Sequence, residues 1–205
     1  VNLVPVAEGP VVNGVAGPEW DAASTPGCTG FVRHDDPNVA ATEDPVIKAL
    51  FTPQNLYILY QVVAEEYAPG TGFAAPTTGF RDPTPDWGGN TYDVFLYPGG
   101  NMASNFYRFT FFPNPGDGVC YVWDEAGSGF PGPGSWDATG DAAAFTYDTN
   151  TKLLTIEYRI PWTAFNMPFG TMSGPPAIGS NWGVQIGYIN TNPAEAVNWE
   201  PSNAA

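Results

Sequence analysis

The chain has 205 residues, and 21 acidic residues against six basic ones give a formal net charge of −15. This length suits a single domain, and a surface of this sign repels the phosphates of nucleic acids and of anionic lipids, so neither is expected as a partner. We also expect no membrane insertion, because no apolar run is long enough to span a bilayer. The opening residues lack a leader pattern, which predicts that Val1 follows a removed signal peptide.

Short runs of β-branched and aromatic residues, bounded by Gly, Pro, Asn or Asp, predict eight strands. In chain order they cover residues 46–52, 55–66, 91–98, 105–112, 119–124, 143–148, 152–162 and 181–190. One helical turn is expected after Trp162. Long loops rich in Pro and Gly fill 67–90 and 125–142. The pattern predicts a single all-β domain over residues 1–205, an antiparallel two-sheet sandwich of the jelly-roll or immunoglobulin-like type.

Alternation within the strands assigns side chains to the two faces of a sheet. The segment 148–152 joins two strands through Asp and Asn and predicts an antiparallel hairpin. On the strand over 91–98, Asp93 and Phe95 point away from Tyr92. If this strand pairs with the strand over 105–112, Asp93 and Arg108 share one surface.

The two cysteines, Cys28 and Cys120, lie in loop-like contexts, TPGCTGF and DGVCYVW. A lone pair in an exported, loop-rich protein more often forms a disulfide than serves chemistry. We therefore predict one bridge between them, with two separate thiols as the alternative.

Signatures of catalysis are missing from the sequence. The single histidine, His34, has no nucleophile elbow to serve, and no glycine-rich loop opens a helix. Paired carboxylates carry little information in a chain with so many acids. The sequence therefore predicts a protein that binds rather than transforms.

Several stretches together resemble the family 9 carbohydrate-binding modules and their wider relatives, β-sandwiches of secreted glycan-degrading enzymes and cell-surface proteins. The similar motifs, in the family's order, are PVVNGVAGPEW, NLYILYQVVAEE, DWGGNTYDVFLYP, LTIEYRIPWTAF, GSNWGVQIGYIN and VNWEP. They cover most of the chain, and the Ile-Pro-Trp element is the most specific of them. The resemblance implies an extracellular or cell-surface location and a polysaccharide or glycan partner.

The resemblance also implies a sugar site. By motif position, Trp87 and Trp199 would stack on the two faces of a sugar ring, with Asp93 as hydroxyl acceptor, Arg108 as donor and Gln185 as a further amide. The chain departs from the family in having the shorter Asp93 where a glutamate is usual.

Other residues have less specific expectations. Structural calcium is implied by the resemblance, and acidic loop residues of the right ligand type are Glu65, Glu66, Asp82 and Asp86. Core packing is expected for the tryptophans Trp20, Trp123, Trp136, Trp162 and Trp182; a sugar platform is the alternative for Trp123 and Trp136.

Two alternatives to sugar binding remain open. Family members generally follow the tryptophan motif with a last strand, whereas this sequence stops at EPSNAA. Either the sequence is cut there, or the sandwich has an open sheet edge that could add a strand from a second copy and build a filament or surface layer. A haem-binding electron-transfer domain would instead need His34 and one of Met102, Met167 or Met172 as axial ligands.

Overall fold

A computed structural model describes most of the chain. The described residues are 3–23, 31–33, 38–41, 45–64, 73–74, 84–85, 90–98, 105–128, 136–165, 172–191 and 194–199.

Thirteen strands make up the described regular structure, together with two short 3₁₀ segments, Pro18–Ala22 and Trp162–Ala164. The strands are β1 Val4–Pro5, β2 Val32–Arg33, β3 Val46–Phe51, β4 Asn55–Val63, β5 Phe73–Ala74, β6 Thr84–Pro85, β7 Thr91–Tyr97, β8 Asn105–Asn114, β9 Val119–Ser128, β10 Ala142–Asp148, β11 Leu153–Pro161, β12 Gly183–Thr191 and β13 Ala194–Trp199. The all-β prediction is confirmed. Within the described residues, no helix is long and apolar enough to cross a membrane.

Two large sheets form the sandwich. The five-stranded sheet has the order β1-β3-β4-β11-β10, and the six-stranded sheet has the order β2-β13-β12-β7-β8-β9. The pair β1 and β3 is parallel, and the other pairs are antiparallel. Strands β5 and β6 pair separately as a small ribbon.

All eight predicted strands are present, and their ends differ from the prediction by a few residues. The hairpin through 148–152 is confirmed as the pair β10 and β11. The carboxylate of Asp148 accepts hydrogen bonds from the backbone N–H groups of Asn150 and Thr151 in this turn. The helical turn after the Ile-Pro element is confirmed at Trp162–Ala164. Strands β1, β2, β5, β6 and β13 were not predicted, because four of them have only two residues and show no alternation.

The main core lies between the two large sheets. Inner faces of β4 and β11 contribute Tyr60 and Ile156, and these pack against Val94 and Phe109 from the six-stranded sheet. One end is closed by aromatic rings: Trp136 lies 4.8 Å from Tyr107 between ring centroids. Trp136 and Trp162 are buried, and Trp182 packs against this core, so core packing is confirmed for all three.

A second core lies on the opposite side of the five-stranded sheet, where the N-terminal segment covers it. Trp20 is buried there against Leu50, Tyr57 and Leu59, as expected for this tryptophan. The anchor is Glu157 on β11, fully buried, which accepts hydrogen bonds from Trp20 Nε1 at 2.7 Å and from two backbone N–H groups of the segment. Both oxygens of this buried carboxylate therefore have donors, two at Oε2 and one at Oε1, as burial of a polar group requires.

The predicted disulfide is not formed at Cys120. This residue lies in β9 rather than in a loop, and its side chain is a free thiol buried in the main core. Burial raises the pKa of the thiol well above its usual range, so it behaves as a small apolar core residue. Cys28 lies outside the described residues.

Candidate functional site

Strand β7 has two very different faces, as its alternation predicted. Tyr92, Val94 and Leu96 belong to the main core. Asp93 and Phe95 point to the other side of the six-stranded sheet. We call that side the outer face.

Register brings polar side chains together on the outer face. Asp93 pairs with Thr110 of β8, and Phe95 pairs with Arg108. In turn, Arg108 pairs with Glu125 of β9. Because paired residues on neighbouring strands share a face, Asp93, Arg108, Thr110 and Glu125 form one cluster.

Arg108 is the centre of this cluster. Its Nε and Nη2 atoms donate to the two oxygens of Asp93 at 3.1 and 3.3 Å, a bidentate pair, and Nη1 donates to Glu125 Oε1 at 3.4 Å. The Thr110 hydroxyl donates to Asp93 Oδ1. The side chains of Arg108, Asp93 and Glu125 are only 12%, 10% and 7% exposed. The fork geometry that satisfies both carboxylates is available to arginine and not to lysine.

Aromatic rings flank the guanidinium. Its Cζ atom lies 5.0 Å from the centroid of the Phe95 ring and 5.2 Å from that of Trp123, distances typical of cation–π contacts. Phe95 also stacks on Tyr97, with the ring planes 5° apart. The Arg108 side chain is therefore fixed in direction by two rings as well as by two carboxylates.

Gln185 extends the outer face onto β12, where it pairs with Phe95 in the register. Its Oε1 accepts a 2.7 Å hydrogen bond from the Tyr97 hydroxyl. With the carbonyl oxygen held by this tyrosine, the amide N–H₂ of Gln185 is the group oriented as a donor.

The cluster contains two carboxylates, those of Asp93 and Glu125, and one guanidinium, that of Arg108. Burial would lower the pKa of Arg108, but the carboxylates of Asp93 and Glu125 hold this pKa above its usual value. Burial raises the pKa of Glu125, Arg108 opposes this shift, and Asp93 adds to it. The guanidinium is thus always charged, while Glu125 carries a charge that its surroundings partly disfavour.

Such a cluster can bind neutral, hydroxyl-rich molecules. Adjacent hydroxyl groups can donate to carboxylates and accept from a guanidinium, while aromatic rings nearby contact apolar C–H groups. Both carboxylates are engaged by the same guanidinium, which orients them as hydrogen-bond acceptors.

The structure unites three of the five predicted sugar-site residues, Asp93, Arg108 and Gln185, on one face. Trp87 lies outside the described residues. Trp199 ends β13 in register with Ile186, and its side chain lies outside the described part of the structure. The roles of both tryptophans stay predictions.

Thr110, Tyr97 and Glu125 were not predicted as site residues, although alternation placed Tyr97 on the face of Asp93 and Thr110 on the face of Arg108. Glu125 was assigned to a loop, but β9 runs on to Ser128 and includes it. Core packing was also expected for Trp123, and this is wrong: its register partner is Thr110, so it lies on the outer face. The signal was present in the alternation of β9, where Cys120 and Val122 are core residues and Trp123 therefore points to the other side.

Metal and haem ligands receive no support from the described residues. Among these, no three His, Cys, Asp or Glu side chains come together to hold a metal ion. The acidic residues named for calcium, Glu65, Glu66, Asp82 and Asp86, lie outside the described part, as do His34, Met102 and Met167. Met172 packs against the main core. Calcium and haem stay predictions.

Comparison with solved structures shows the fold. A family 9 carbohydrate-binding module from Caldicellulosiruptor kristjanssonii in complex with cellotriose aligns with a TM-score of 0.58 and 12% identity, over 99% of this chain and 86% of that chain. A family 9 module from the same organism in complex with glucose aligns with a TM-score of 0.59 and 13% identity, over 99% and 88%. The fold is that of these modules.

A third structure with this fold is a protein of Bacteroides uniformis proposed to bind carbohydrate, with a TM-score of 0.56 and 12% identity over 97% of this chain and 89% of that one. No protein-family model and no curated protein sequence matches the chain. At these identities the module fold is established, and the function must be argued from the site.

Proposed function

We propose that the protein is an extracellular, non-catalytic carbohydrate-binding module whose outer face holds a sugar of a polysaccharide or glycan. The cluster of Asp93, Arg108 and Glu125 would bind the sugar hydroxyls, and Gln185 would add an amide donor. Trp87 and Trp199 remain our candidates for the stacking walls.

The observation that carries this proposal is the bidentate ion pair between Arg108 and Asp93, flanked by the rings of Phe95 and Trp123. A buried charge cluster of this kind is costly unless its geometry is well satisfied. It lies on the side of the sheet away from the main core, beside the buried rings of Phe95, Tyr97 and Phe106. The solved modules of the same fold contain glucose or cellotriose, which supports a sugar as the ligand.

Isothermal titration with glucose, xylose, cello-oligosaccharides and xylo-oligosaccharides tests the proposal. We expect saturable binding by the wild-type protein and at least about a tenfold weaker affinity for Arg108→Lys, which keeps the charge but loses the bidentate geometry. Trp87→Ala should abolish the heat if this ring is a stacking wall.

The matched control is Arg159→Lys, because Arg159 donates to the Gly140 carbonyl at 3.2 Å on the other sheet. This variant should bind sugar like the wild type, and thermal melts must show that both arginine variants are folded. Absence of saturable heat with every sugar, or equal affinities for Arg108→Lys and the control, would overturn the proposal.

The same protein sample also tests the two alternative functions, assembly by strand addition and haem binding. Assembly by strand addition would give large species in sedimentation, and haem binding would give a Soret absorbance band after incubation with haem.

A further inference from the structure

A large cavity that is partly open to solvent lies between the two sheets, on the opposite side of the six-stranded sheet from the outer face. Its volume is about 790 Å³. Inner faces of both sheets form its walls, with Ala49 and Ile58 on one side and Leu96 and Val184 on the other. At the rim are Leu3, which is partly exposed, and Ile178, which is fully exposed.

The lining is mainly apolar. None of the described residues around the cavity is charged, and the only polar side chains among them are those of Ser180 and Asn181 in the rim loop. A buried water needs two to four polar partners, which the aliphatic walls do not offer. A cavity of this size and lining therefore favours an apolar occupant over ordered water.

Charge narrows the class of occupant further. The net charge of −15 would repel an anionic headgroup, and no cationic side chain in the described lining would pair with it. An engineered cavity of about 150 Å³ lined by Leu, Ile and Phe already binds benzene. The cavity described above is several times larger and accommodates an alkyl chain or a fused aromatic ring system.

We propose that this cavity is a second binding site, specific for an uncharged apolar molecule such as an alkyl chain with a neutral head. The site is separate from the sugar site, because Val94 and Leu96 face the cavity while Asp93 and Phe95 face the opposite side of β7.

Fluorescence of the neutral probe N-phenyl-1-naphthylamine tests the proposal, since the probe brightens in apolar surroundings. We expect saturable binding to one site, displacement by 1-decanol, and at least about tenfold weaker displacement by decanoate, because the carboxylate must leave water without a partner. Equal displacement by decanol and decanoate would contradict the neutral-ligand assignment.

Two cavity-filling variants on opposite walls, Ala49→Phe and Val184→Phe, locate the probe. Each should weaken probe binding at least about tenfold, because the added ring occupies part of the probe's space, and each should leave the melting temperature unchanged or raised, because filling a void stabilises while overpacking destabilises. Val63→Phe is the control: Val63 is exposed on β4 outside the described lining, and this variant should bind the probe normally. Sugar titrations of the filled variants should match the wild type.

The proposal fails if both filled variants bind the probe as tightly as the wild type or if both lose melting temperature. It also fails if sedimentation shows a dimer that Ala49→Phe dissociates, because a strand from a second copy would then fill the cavity.

Discussion

Arg108 illustrates how one residue can organise a site. It neutralises one of two neighbouring carboxylates and holds the direction of both, while Phe95 and Trp123 restrict its own side chain. Removing one partner from a buried ionic cluster typically costs several kcal/mol, because the remaining charge is left unpaired. The cluster is therefore rigid, and its hydrogen-bonding groups are oriented in advance for a ligand.

Glu125 should make stability depend on pH. Because its pKa is raised in the folded state, the stability that it contributes is fully present below the ordinary glutamate pKa of about 4.3 and is lost as pH rises through the folded value. We expect the wild type to lose unfolding free energy relative to Glu125→Gln as the pH rises above about 4.3. The loss should level off once the pH exceeds the folded pKa of Glu125.

Urea denaturation of both proteins at a series of pH values measures this difference. Parallel curves across the acidic range would show that Glu125 titrates alike in the folded and unfolded chains.

At the scale of single residues, the sequence was sufficient where local alternation decides the outcome. The shared surface of Asp93 and Arg108 followed from period-two alternation once their strands were paired. Glu125 could not be placed, because the extent of β9 depends on its pairing with β8, which no local pattern determines. Trp123 lies inside the predicted strand, so alternation with the core residue Val122 was enough to place it on the outer face.

Strand β11 joins the two cores of the molecule. Its inner side chains enter the main core, while Glu157 holds the N-terminal segment over the outer surface of the five-stranded sheet. Gly14 in this segment has a φ of +80° and lies against the backbone of Phe145, so a side chain there would collide. The segment is thus fitted to the sheet by a buried carboxylate and a close backbone approach.

Glu157→Ala should release this segment. Trp20 Nε1 and the backbone N–H groups of Asn13 and Gly14 would lose their acceptor, and we expect a loss of roughly 2–4 kcal/mol in unfolding free energy. Hydrogen exchange should accelerate in peptides covering residues 10–20 and remain slow in those covering β8.

The control for this variant is Thr155→Val on the same strand, where Thr155 accepts a hydrogen bond from Gln61 rather than from the segment. Unchanged exchange in Glu157→Ala would mean that apolar contacts of Trp20 alone hold the segment.

At the scale of elements, the long strands were predictable and the strand order was not. Each of the eight predicted strands shows a run of β-branched and aromatic residues. Strand β12 lies between β7 and β13, and these two strands are far from each other in the sequence. The order of the three strands therefore depends on packing of the whole core. The two-residue strands could not be predicted, because such a short strand forms only where the fold brings a partner strand beside it.

The whole molecule carries a strong negative charge. Fifteen excess negative charges repel one another in the folded state and lower its stability, an effect that salt screens. A neutral sugar does not experience this field, so ligand affinity and fold stability should respond differently to ionic strength.

Raising sodium chloride from about 10 to about 500 mM, which shortens the screening length severalfold, should increase the melting temperature by on the order of a few degrees. Sugar affinity, once measured, should stay constant over this range. The increase should vanish near pH 4.1, the isoelectric point, and a melting temperature that does not respond to salt at neutral pH would show that self-repulsion is negligible.

The position of β12 between β7 and β13 also sets an order for folding. Strands β7, β8 and β9 follow one another along the chain, so Asp93, Arg108 and Glu125 can meet while the polypeptide is still being made. β12 arrives later and must close a long loop before it pairs with β7. The arginine can therefore neutralise its acidic neighbours in the nascent chain before β12, which carries Gln185, has emerged.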